Sequence, residues 1–160
     1  MVERIEDLER CPPGVRRTAK EIASDFDARL VYCKDYGGYV INLLTWDASL
    51  SLRITENIYE TVIRGELEIP QHKVNEVIEE FNRIKGKIKG KVDILDPKLV
   101  HQSKCSVIDV RNSYEKEKVI VGFVCTPATP DPREYLGILE EIRRIWDKYS
   151  IRSVELTHQT

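Results

Sequence analysis

The chain has 160 residues, 41% hydrophobic and 32% charged, with 25 basic residues against 27 acidic ones for a net charge of -2 and a pI near 6.0. This mixture excludes a disordered or low-complexity chain. The near-neutral charge gives no whole-molecule attraction to nucleic acid or anionic membrane, so any basic site must be local. No apolar run approaches the roughly 18 residues that span a bilayer, and Glu3, Glu6 and Asp7 leave no signal-peptide core, so one soluble, cytoplasmic domain over residues 1–160 is expected.

Residues 1–12 read as a polar N-terminal helix or loop extension. Val15, Ala19, Ile22, Ala23 and Phe26 recur at spacings of three and four, which predicts an amphipathic helix from Val15 to Asp27. Leu30 to Trp46 is rich in Val, Tyr, Ile and Leu and is broken by Gly37-Gly38, the signal of a hairpin with a two-residue type I′ turn. Leu50, Leu52 and Ile54 then alternate with Ser51, Arg53 and Thr55 as a third strand with one wet face. From Ile58 to Ile63 β-branched content competes with four-residue spacing, and Gly65 as a C′ residue favours a short helix over residues 56–64.

Val74, Val77, Ile78, Phe81 and Ile84 mark a helix from Gln71 to Lys85. Ile88, Val92 and Ile94 alternate with lysines as an edge strand that ends at Asp96-Pro97. Lys104 to Arg111 and Lys118 to Thr126 form two strands joined by a polar tip, and the second, apolar on both faces, belongs in the interior of a sheet. Asp131 as N-cap, Pro132 at N1 and Glu134 open a helix whose stripe of Tyr135, Ile138, Leu139, Ile142, Ile145, Trp146 and Tyr149 is the widest in the chain. Val154 and Leu156 suit a last strand, and residues 157–160 a loose tail. Hairpins outnumber crossovers, so the fold class is α+β: a mainly antiparallel or mixed sheet with three main helices packed on it as a two-layer sandwich.

Cys11, Cys33, Cys105 and Cys125 stand 22, 72 and 20 residues apart, without the close pairs of a zinc site. Cys33 and Cys125 fall in apolar runs, where a reduced cysteine acts as a small hydrophobe, so a reducing compartment is expected. Ile (17) and Val (15) far outnumber Ala (5), and Gln occurs three times, a balance that matches a thermophile.

Cys11-Pro12-Pro13-Gly14-Val15-Arg16-Arg17-Thr18 fits C-x-x-G-x-x-R-[ST]. This stretch alone resembles the phosphate loop of cysteine-dependent phosphatases, which implies a Cys11 thiolate attacking phosphorus and Arg17 clamping the oxygens. Pro12 and Pro13 remove two of the N–H donors such a loop needs, and Glu6, Asp7 and Glu9 repel a phosphoryl group, so cysteine-dependent phosphoryl hydrolysis ranks last.

Arg16, Arg17 and Lys20 crowd the first turns of their helix, where the dipole favours anions, and are candidate anion contacts. Arg83, Lys85, Lys87, Lys89 and Lys91 place a cation at every second position, either to meet successive phosphates or to keep an edge strand from pairing. Edge protection is favoured, since no aromatic interleaves there to stack on bases. Tyr36, Tyr39 and Trp46 are an aromatic group on the first hairpin and candidate interface residues. His72, His101 and His158 lack metal-site spacing, so no metal, cofactor or catalytic residue is expected. The leading expectation is a non-enzymatic module that binds a protein partner or assembles with itself, with nucleic-acid or anionic-ligand binding through residues 83–91 as the alternative and no membrane contact.

Overall fold

Period-two alternation carries most of the chain into one sheet. The computed structural model describes residues 4–35, 39–56, 61–84, 104–127 and 132–150. Its strands are β1 (Ile5–Asp7), β2 (Ala28–Asp35), β3 (Tyr39–Thr45), β4 (Leu50–Glu56), β5 (Thr61–Pro70), β6 (Lys104–Asn112) and β7 (Lys118–Thr126). They lie in the order β1-β2-β3-β4-β5-β7-β6, and every pairing is antiparallel except that of β1 with β2. Helices α1 (Pro13–Asp25), α2 (Val74–Asn82) and α3 (Pro132–Tyr149) share one core with the sheet, α1 against β2, α2 against β6 and β7, and α3 against β5. The fold is α+β, with helices on a mainly antiparallel sheet.

Register decides which side chains meet the helices. Cys33, Ile41, Ile54, Ile63, Cys125 and Cys105 form one cross-strand row from β2 to β6, and all six are buried. Val31, Leu43, Leu52, Gly65, Phe123 and Val107 form the next row on that face. Phe81 of α2 stacks on Phe123 with centroids 4.5 Å apart, and Phe26 at the end of α1 meets Trp146 of α3 at 6.1 Å. The Trp146 indole Nε1 also donates to Ser49 Oγ at 2.9 Å. Ser49 is held in the β3–β4 turn, where its backbone N–H and hydroxyl both donate to Asp47 Oδ1 at 3.0 and 2.7 Å. One buried hydrogen bond thus ties α3 to that turn.

Gly65 sits in the middle of β5, not at a helix end. Of the short helix expected over residues 56–64, Glu56 ends β4 and 61–64 open β5, because Ile63, Leu67 and Ile69 alternate inward and the strand finds partners on both sides in β4 and β7; residues 57–60 lie outside the described residues. Four-residue spacing was shared by both readings, and pairing on two edges decides between them. The N-terminal extension is likewise not helical at Ile5–Asp7, which add a parallel strand to β2.

The cysteines are not reduced. Cys11 bonds to Cys33 and Cys105 to Cys125, closing loops of 22 and 20 residues, and no described cysteine is free. The sulfurs are as buried as the hydrophobe reading requires, but Cys105 and Cys125 are directly opposite partners on paired strands, and this proximity is invisible in their spacing. At the first hairpin the last described pair is Asp35 with Tyr39, and the turn expected at Gly37-Gly38 lies outside the described residues. The basic strand expected at 88–94, the Asp131 cap and the strand at 154–156 lie outside the described residues. β7 is an interior strand between β5 and β6, as its two apolar faces imply.

Candidate functional site

The face of the sheet turned away from the helices carries polar residues in its middle. Between the two apolar rows runs a third, Tyr32, Asn42, Arg53, Arg64, Val124 and Ser106, whose side chains alternate to the opposite side. Arg53 of β4 and Arg64 of β5 are direct cross-strand partners in the centre of this row. Like charges directly opposite one another are unfavourable in a sheet, by roughly 0.2–1 kcal/mol. No acid among the described residues forms an ion pair with either.

Both arginines line a cavity of about 380 Å³, together with Tyr32, Asn42 and Ser51. A neighbouring cavity of about 440 Å³ shares Asn42 and Arg53 and extends the site to Lys34. The dip has a local cause: Gly122 of β7 has no side chain to place on this face, beside Glu66 of β5 and Asp109 of β6. Asn42 is buried, and its one side-chain hydrogen bond among the described residues is a long contact of 3.5 Å from Nδ2 to the Val40 carbonyl, so the amide keeps bonding capacity at the cavity wall.

The acids of this face are already committed. Arg111 of β6 donates to Glu66 and, at 3.1 Å, to Asp109. These bonds, Glu66 first, hold the Arg111 guanidinium even further above the neutral range than usual. The site therefore has three arginines against two carboxylates, and both carboxylates face the same arginine.

The described residues among those singled out from the sequence do not line this cavity. Arg16 turns back along the chain, its Nε donating to the Leu8 and Cys11 carbonyls at 3.1 and 3.0 Å and an Nη to the Glu9 carbonyl at 3.3 Å. Its charge at the helix start is thus met by three backbone oxygens. Arg17 reaches Glu21 at 3.8 Å and is otherwise in solvent, and Lys20 is exposed. Arg83 lies within 3.7 and 3.9 Å of Glu79 and Glu80. α1 covers β2 and α2 covers β6 and β7, so Arg83 and the cations of α1 lie toward opposite ends of the sheet.

Lys85, Lys87, Lys89 and Lys91 lie outside the described residues. The aromatic group is also divided: Tyr39 opens β3 and Trp46 follows its end, about 23 Å away along the strand. Trp46 is exposed, while Tyr36 and the Tyr39 side chain lie outside the described residues. Cys11, bonded to Cys33, has no thiolate to attack phosphorus, which removes the nucleophile of the phosphatase-like loop.

Arg53 was visible in the sequence as a polar residue facing water. Arg64 was not, because its segment read as helix, and only the β4–β5 register sets the two side by side. Among the described residues no three His, Cys, Asp or Glu side chains group to hold a metal, and no helix is long and apolar enough to cross a membrane. No known protein family, curated protein or solved structure matches the chain.

Proposed function

We propose that the chain is a non-enzymatic binding module that takes an anionic ligand on the open face of its sheet. The reading is carried by one observation: Arg53 and Arg64 stand directly opposite each other at a cavity, without an acidic partner among the described residues. Such a pair opposes folding until an anion neutralises it, and residues that oppose stability are a mark of function. Two guanidinium forks also suit the several oxygens of a phosphoryl or carboxylate group better than point charges do. The anionic ligand expected for the lysine segment is thereby moved to the sheet.

A cytoplasmic location belongs with this reading where the cytoplasm tolerates disulfides, as in hyperthermophiles, and the Ile- and Val-rich composition favours that setting.

Thermal unfolding with and without inorganic phosphate tests the reading. Phosphate should raise the Tm of the wild-type protein, with saturation. The variant Arg53→Gln/Arg64→Gln should be more stable than wild type without phosphate, by up to about 1 kcal/mol, and should lose the saturable response. An equal, unsaturable rise in both proteins is the general effect of a kosmotropic salt and would refute the site.

A further inference from the structure

We infer that the anion held by Arg53 and Arg64 is the phosphate of a mononucleotide whose base lies against Tyr32. This rests on the anion-binding reading and specifies its ligand. Along the central open-face row the chemistry is ordered: an aromatic ring on β2, a primary amide on β3, then a guanidinium on β4 and another on β5. Strands are about 4.8 Å apart, so the four side chains spring from a line about 14 Å long, and all four border the same cavity.

Each position matches one part of a nucleotide. The Tyr32 ring, only partly covered, offers a face for stacking, which is how proteins hold a base without displacing it from water entirely. Asn42 presents both a carbonyl and an NH₂ group, the pair of functions that reads the donor and acceptor edge of a base. Its only side-chain hydrogen bond among the described residues is the long one to Val40, so both functions remain usable. The arginine pair takes the phosphate at the β4–β5 end of the row; Glu66, two residues from Arg64 on β5, and Asp109 of β6 border the same end, and their charges are met by Arg111.

The cavity is of the size of small-ligand sites, roughly 300–1,000 Å³, and Asn42, Ser51, Arg53 and Arg64 give it convergent polar groups. A strand of nucleic acid fits less well, since Tyr32 is the single aromatic in the row and successive bases need successive rings.

Calorimetric titration of the full chain with AMP, GMP, CMP, UMP, adenosine and inorganic phosphate tests this. At least one nucleotide should bind about tenfold or more tightly than either phosphate or adenosine, the advantage that stacking one base ordinarily adds. Tyr32→Leu, which keeps an apolar strand residue, should remove that advantage and retain phosphate binding, whereas Tyr32→Phe should keep it. Arg53→Gln/Arg64→Gln should abolish the response to nucleotide and phosphate alike.

If phosphate binds through the arginines but no nucleotide exceeds it, or Tyr32→Leu changes nothing, the nucleotide is wrong and the anion site stands. If neither nucleotide nor phosphate binds, both fall. An oligoribonucleotide that binds more tightly than every mononucleotide, with a salt dependence of several phosphates, would replace the mononucleotide with a strand.

Discussion

Gly65 shows how a single residue couples the buried face to the open one. A Cβ at this position would lie 2.5 Å from Phe123 Cζ and 2.6 Å from the Ser51 carbonyl oxygen, so the Phe123 ring occupies the space a side chain would take. That ring in turn stacks on Phe81, and Arg64 and Glu66 on either side of the glycine both line the open cavity. Glycine in mid-strand is ordinarily a weak point, and here the ring lying over it recovers the packing. Gly65→Ala should destabilise the protein by about 1–3 kcal/mol, because backbone and ring must both shift. Chemical denaturation measures it, and a loss under about 0.5 kcal/mol would mean that the ring swings clear without cost. Sequence reasoning took this glycine for a helix stop, since the ring that needs it is 58 positions away in the chain.

Elements were legible where one period dominated and failed where two competed. The 3.6-residue stripes of α1, α2 and α3, the alternation of β4, and the β-rich runs of β6 and β7 are consistent enough that tertiary packing only confirms them. β5 and β1 escaped because a short β-rich run and a short polar run are made into strands by their neighbours, not by their own pattern. How α2 meets α3 could not be read from either helix alone. Glu80 of α2, with a side chain 13% exposed, accepts a hydrogen bond from Arg144 of α3 at 2.7 Å. This bond, followed in smaller measure by the charges of Arg144, Lys148 and Arg83, holds the Glu80 carboxyl below its usual 4.5. A carboxylate with a depressed folded-state pKa adds stability that is present above its unfolded value and is lost as pH falls through the folded one. Wild type should therefore lose more stability than Glu80→Gln between pH 7 and the acid side of 4.5, by less than about 1 kcal/mol because Arg144 is half exposed. Parallel acid titrations of urea midpoints would show it, and superimposable curves would mean the pair contributes nothing to α2–α3 docking.

At the scale of the whole molecule the two disulfides lie on a single line. Cys33 ends the buried cross-strand row at β2, Cys125 and Cys105 end it at β7 and β6, and three isoleucines span the interval. One bridge pins the approach to α1 onto the sheet, and the other crosses the hairpin that forms the far edge. The row of Arg53 and Arg64 is the adjacent one on the opposite face, so slippage of β4 or β5 by one residue would turn one of the two arginines into the core. Register is the property this sheet must keep, and a covalent tie at each end of the neighbouring row helps to keep it. Part of this was readable in advance: the alternation showed which residues share a face. Which strands are neighbours was not, and therefore neither the arginine pair nor the cysteine pairs were. The chain-entropy account of a disulfide depends on the length of the closed loop, not on where the bridge sits in the fold, and loops of 22 and 20 residues should contribute about 3 kcal/mol each. Replacing Cys11 and Cys33 by alanine, or Cys105 and Cys125, should then cost similar amounts and lower the Tm by roughly 10 °C in either case. Scanning calorimetry of the two variants, beside a thiol titration of the unfolded wild-type chain, decides the matter. Four titratable thiols without reductant would remove the disulfides altogether, and a loss confined to one variant would mean that native-state strain, not loop closure, sets what each bridge contributes.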